Sequence, residues 1–83
     1  MIVTEVQGPF TGYVETAWCT LPLRKGTLVI VCDPVLVVVV FVRDRGKGRE
    51  YTFEGGEVQM LLKGRYVKIV VKEEGDGYVR LVG

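Results

Sequence analysis

Eight consecutive apolar residues, Val35-Leu36-Val37-Val38-Val39-Val40-Phe41-Val42, stand in a chain of only 83. A strand with one wet face alternates apolar and polar residues. This run does not, so both of its faces must be dry. Folding at this length buries only about 60–65% of the surface that the unfolded chain exposes, so one sheet has little left with which to cover a strand twice. Left bare, a β-branched run without charge is an aggregation hazard. Two covers are open to it: the second layer of a packed pair of sheets, or a symmetric partner subunit. The partner subunit is the expectation here because the domain is so small, and Val38, Val40 and Val42 are then the self-association residues.

The rest of the chain carries the same β signature. Valine occurs 17 times and alanine once, as Ala17. Glycine or proline recurs every ten residues or so, the spacing of short strands joined by turns. Strands are expected at Ile2–Val6, Phe10–Trp18, Leu28–Cys32, Val35–Val42, Glu50–Phe53, Val58–Leu62, Arg65–Lys72 and Tyr78–Val82. Turns fall at Gln7-Gly8-Pro9, Cys32-Asp33-Pro34, Glu54-Gly55-Gly56, Lys63-Gly64 and Glu74-Gly75-Asp76-Gly77. No stretch shows a helical apolar period. The expectation is one all-β domain over residues 1–83. About seven or eight short, mostly antiparallel, meandering strands would form a small barrel or a two-sheet sandwich, SH3-like or OB-like in size.

Two hairpins can be given registers. Pairing Val42 with Glu50 sets Phe41 against Tyr51 and Val39 against Phe53, leaving Val38, Val40 and Val42 on the other face. In the last hairpin Val67, Ile69 and Val71 share an apolar face with Val79 and Leu81. Tyr66, Lys68, Val70, Lys72, Tyr78, Arg80 and Val82 share the solvated one. The segment Leu21-Pro22-Leu23-Arg24-Lys25-Gly26-Thr27-Leu28-Val29-Ile30-Val31 resembles the diverging turn of SH3-like barrels: an apolar pair, a basic Lys-Gly turn, then a strand. The paired tryptophans and the Pro-x-x-Tyr segment of an SH3 peptide groove are missing. The resemblance therefore implies a small-barrel fold and carries no peptide-binding activity.

Composition narrows function mainly by exclusion. The chain has no histidine and no serine, which removes Ser-His-Asp and Cys-His catalysis and every imidazole metal site. Cys19 and Cys32 match no paired-cysteine metal spacing and read as small buried hydrophobes rather than a disulfide. Glu73, Glu74 and Asp76, like Glu54 and Glu57, have the composition of solvated turns. No catalytic residue, metal or cofactor is expected, and the chain is read as a non-enzyme. Absence of asparagine and scarcity of glutamine resemble heat-adapted composition. There is no leader pattern, and the longest apolar run falls far short of the roughly 18 residues of a membrane helix. A soluble intracellular protein without membrane contact is the expectation.

Net charge is +1, with a sequence pI near 7.7, which argues against a dedicated duplex-DNA binder. Locally the balance differs. The loop Arg43–Arg49 holds Arg43, Arg45, Lys47 and Arg49 against Asp44 alone, with Gly46 and Gly48 to let a phosphate approach. With Tyr66, Lys68, Lys72, Tyr78 and Arg80, it offers cations interleaved with rings, the mixture that holds single-stranded nucleic acid. The first reading is a non-enzymatic interaction module that self-associates through its valine-rich strand as a homo-oligomer and serves a larger complex with a protein partner. The second is a single-stranded nucleic-acid-binding barrel.

Overall fold

The computed structural model describes all residues, Met1–Gly83. In chain order the strands are β1 (Ile2–Gln7), β2 (Phe10–Thr11), β3 (Val14–Glu15), β4 (Cys19–Thr20), β5 (Lys25–Asp44), β6 (Lys47–Lys63), β7 (Tyr66–Lys72), β8 (Glu74–Gly75) and β9 (Gly77–Val82). The fold is all-β. One curled antiparallel sheet, ordered β1-β9-β5-β7-β3 with β4 also on β7 and β6 on β5, forms a half-barrel, and β2 and β8 form a small second sheet.

Two long strands organise everything else. Leu28–Cys32 and Val35–Val42, expected as separate strands, are the two arms of the single strand β5; Glu50–Phe53 and Val58–Leu62 are likewise the two arms of β6. The turn residues between them fold each strand over without pairing its two arms to each other. Four residues, Asp33–Leu36, oppose Gly55 alone, and the ladder resumes on either side at Cys32↔Gly56 and Val37↔Glu54. Pro34 lacks a ladder donor and is tolerated because it sits in this bulge. Gly56 supplies a φ of 113°, and a Cβ on Gly55 would overlap the Asp33 carbonyl.

The bend splits the sheet into two layers. The N-terminal arm of β5 pairs with β9, and its C-terminal arm pairs with β7. The expected last hairpin therefore does not pair with itself: β7 and β9 flank different arms of β5, with Glu73–Asp76 crossing between layers. The expected strand Phe10–Trp18 is also broken. Gly12, at φ 152°, separates β2 from β3, and only the isolated pairings Val14↔Val71 and Cys19↔Val67 start the two short ladders on β7. In the Leu21–Val31 segment, Pro22–Arg24 forms a tight turn, with Leu23 and Arg24 at φ 55° and 56°, and β5 follows directly.

The hairpin between β5 and β6 turns over two residues, Arg45 and Gly46, at φ 52° and 75°, the backbone of a primed hairpin turn. It fixes Asp44↔Lys47 and hence Val42↔Arg49, one residue away from the expected Val42↔Glu50. A slip of one residue flips every partner to the other face. Val38 thus opposes Phe53, and Val40 opposes Tyr51. The core is one cluster of 15 buried residues in which Leu28, Ile30, Leu36, Val38, Val40, Val67, Ile69, Val71, Val79 and Leu81 are at most 1% exposed. Each such side chain contributes about 1.5–3 kcal/mol on burial.

The valine run accordingly receives its cover from its own chain. Val38, Val40 and Val42 lie in the centre of the core at 0–1% exposure, so they present no surface to a second subunit. The opposite face of the run is dry at Val39 and half-buried at Val37 and Phe41. The intrachain layer supplies the inner cover, whereas the outer face is covered only in part, with Val35 61% exposed.

Candidate nucleic-acid interface

Because β5 and β6 are folded back at their midpoints, both ends of each strand meet at one pole of the molecule. The Arg49 guanidinium donates to the backbone carbonyl of Lys63, spanning from one arm of β6 to the other. Gly64 N–H donates to the Arg24 carbonyl at 3.0 Å, and Arg65 N–H donates to the Arg43 carbonyl at 2.9 Å. Arg24, Lys25, Lys63 and Arg65 are thereby gathered with Arg43, Arg45, Lys47 and Arg49, eight of the chain's 11 cations. Asp44, between them, has one carboxylate oxygen buried without a hydrogen-bond partner.

The bend end carries the opposite sign. Asp33 and Asp76 are joined by Asp33 N–H to the Asp76 carbonyl at 2.9 Å and Asp76 N–H to an Asp33 carboxylate oxygen at 2.7 Å. Glu54 and Glu57 flank the bend of β6, and Glu73 and Glu74 lie in the crossing turn beside them. An open cleft of about 620 Å³ at this end is lined by Asp33, Glu57, Asp76 and Tyr78 among others. A net charge of +1 thus conceals a strongly polar distribution.

Next to the basic pole, the outer face formed by the C-terminal arm of β5 and by β7 collects aromatic rings. Register rows place Phe41 beside Lys68 and Arg43 beside Tyr66. β4 runs along β7, and the irregular residues 16–18 before it bring Trp18 over the same face. The Arg43 guanidinium lies 4.8 Å from the Trp18 ring centre. The Lys68 ammonium lies 5.4 Å from Trp18 and 5.2 Å from Phe41. Arg65 lies 5.7 Å from the Tyr66 ring. These are cation–π distances. Trp18 and Tyr66 each remain 40% exposed, and a groove of about 280 Å³ runs between Trp18, Phe41, Arg43, Gly48, Arg49 and Glu50.

One acid tempers this face. Glu15 accepts from the Lys68 ammonium at 2.6 Å and from the Tyr13 hydroxyl at 2.8 Å. The Lys68 bond, followed by that from Tyr13, holds the Glu15 carboxyl below its ordinary range, and the same bond to Glu15 raises Tyr13.

The expected binding residues divide into two groups. Arg43, Arg45, Lys47, Arg49, Tyr66 and Lys68 come together, although Arg43, Lys47 and Arg49 stand in strands rather than a seven-residue loop. Lys72, Tyr78 and Arg80 do not join them. Lys72 sits at the Val37 row near the bend. Tyr78 and Arg80 lie on β9 in the other layer, where Arg80 stacks 4.7 Å over Tyr78 and pairs with Glu5 at 3.0 Å. Trp18 and Phe41 were not among the expected residues. The lone tryptophan between Ala17 and Cys19 is visible in the sequence, but its place depends on the pairing of β4 with β7.

The cysteines are unbonded to one another. Cys32 is buried beside the Tyr78 carbonyl, its thiol raised chiefly by burial. No three His, Cys, Asp or Glu side chains converge as a metal site requires, and no helix is long and apolar enough to cross a membrane. No protein-family model, curated protein or solved structure matches the chain, so the functional reading rests on its own geometry.

Proposed function

We propose that this chain is a non-enzymatic β domain that binds single-stranded nucleic acid across its basic pole. The observation that carries the reading is the half-exposed Trp18, held by Arg43 at 4.8 Å at the edge of a field of eight cations. Phosphates are attracted by the pole, and unpaired bases stack on Trp18 and Tyr66. Paired bases keep their faces inside the duplex, so the rings favour single strands. Base-on-ring stacking is worth about 1–3 kcal/mol per base. Charge segregation also answers the objection from neutral pI: the phosphate backbone meets the pole, while the acidic end points away within a body 33 × 23 × 18 Å.

The test is fluorescence anisotropy of a labelled single strand at several salt concentrations. Arg43→Gln, Arg45→Gln, Lys47→Gln and Arg65→Gln are each expected to flatten the salt slope by about 0.7, the counterion release of one single-strand phosphate. Arg80→Gln, in the other layer and paired with Glu5, is expected to leave it unchanged. Equal effects at Arg80 and Arg43, or no binding by wild-type protein at low salt, would remove the reading.

A further inference from the structure

β6 pairs along one edge with β5 and along the other with no strand, the Arg49 guanidinium alone reaching that edge at the Lys63 carbonyl. A free strand edge presents N–H and C=O groups ready to pair with another chain. The two arms guard that edge differently. The N-terminal arm carries Lys47, Arg49, Glu50 and Glu54, charges of the kind that discourage edge pairing. The C-terminal arm runs Val58-Gln59-Met60-Leu61-Leu62 without a charge. Leu61 is 55% exposed there, and Val58 and Met60, which pack inward on the core, stay only half-buried along the open side of the half-barrel.

The charges that flank this arm are opposite in sign. Glu57 precedes it and Lys63 ends it, and both are exposed on the same outer face as Gln59 and Leu61. Antiparallel pairing of the segment with itself about a two-fold axis through Met60 sets Glu57 against Lys63 twice. The same register sets Val58 against Leu62 and Gln59 against Leu61, so the half-buried inner residues gain apolar neighbours. We infer that the free edge of β6 from Glu57 to Lys63 is the surface on which a second copy of this chain docks, strand to strand. Such an interface is isologous and closes on itself, giving a dimer and not a fibre. It assigns self-association to an edge rather than to Val38, Val40 and Val42, and it does not rest on nucleic-acid binding, although Lys63 belongs to the basic pole as well.

Sedimentation equilibrium without nucleic acid, from micromolar to sub-millimolar protein, tests it. Wild-type protein is expected to dimerise. Glu57→Lys or Lys63→Glu, each of which places like charges opposite one another at two points, is expected to weaken the dimer about tenfold or more. The double variant restores opposite charges and is expected to recover the wild-type constant within about threefold. Both sites are exposed, so circular dichroism should be unchanged; if either swap unfolds the chain, Leu61→Lys, also exposed, must give monomer instead. A monomeric wild type throughout the range, a dimer indifferent to the swaps, or a double variant that stays dissociated would overturn the inference.

Discussion

Gly55 lies against the backbone of Asp33 so closely that a Cβ at residue 55 would overlap the Asp33 carbonyl oxygen. That contact is the inside of the bend that folds β5 and β6 back on themselves, and it brings both ends of each strand to the basic pole. Gly55→Ala must push the strands apart and is expected to cost about 3 kcal/mol, the upper range for overpacking. Gly48→Ala, where an added Cβ meets nothing, is expected to stay within about 0.5 kcal/mol. Urea midpoints of the two variants provide the measurement, and equal shifts would contradict the bend's role.

Val40 is fully buried between the layers. Val40→Lys places an unpaired ammonium there, costing several kcal/mol, and is expected to unfold the chain rather than release a folded monomer. Val40→Ala is expected to cost about 2–3 kcal/mol through lost apolar contact and the cavity left behind. A folded, monomeric Val40→Lys variant, seen by circular dichroism and light scattering, would return this strand face to an interface role.

Glu15 restrains Lys68, so its removal should help a polyanion. Glu15→Gln is expected to raise single-strand affinity about two- to fivefold, the effect of one exposed charge. Its folded pKa is lowered, so the Glu15–Lys68 pair is fully formed above the ordinary carboxylate range. Any stability it adds is lost as pH falls through that lowered value, and Lys68 is then released. Affinity measured across that acid window should rise less steeply in Glu15→Gln than in wild type. Parallel pH profiles would show that Glu15 does not restrain Lys68.

Thiol counting separates the two cysteines. Cys32 is 8% exposed, with its thiol raised by burial, whereas Cys19 is half-buried near the chain surface. A thiol reagent is expected to modify Cys19 in the native protein and Cys32 only on unfolding. Simultaneous reaction of both in native buffer would contradict the burial of Cys32 beside the bend of β5.

Much of the architecture was legible because burial imposes a period. Alternation along Val67, Ile69 and Val71, and along Val79 and Leu81, marked the core face of β7 and β9 correctly, but Val70, on the face read as solvated, is buried too at 2% exposure. The unbroken run Val35–Val42 announced a dry inner face and a partly dry outer one, buried at Val39 but exposed at Val35. What covers them was not legible, because cover depends on register, and register turned on the two-residue turn at Arg45-Gly46. Asp33-Pro34 and Gly55-Gly56 read as reversals when taken singly. Only their opposition across the ladder makes them a bend. For the same reason the basic pole could be seen only in part: Lys63 and Arg49 are 14 residues apart in sequence and adjacent only after the bend. Trp18 reaches Arg43 and Lys68 through β7, which no local pattern near residue 18 encodes.

Trp18 is the chain's only tryptophan, so its emission reports the proposed site without a label. Titrating wild-type protein with a short single strand at low salt should quench and shift that emission to saturation, as a base stacks on the indole. Raising the salt should reverse the change, and duplex at equal phosphate should produce less of it. Emission that stays constant through the single-strand titration at low salt would contradict nucleic-acid binding at the basic pole.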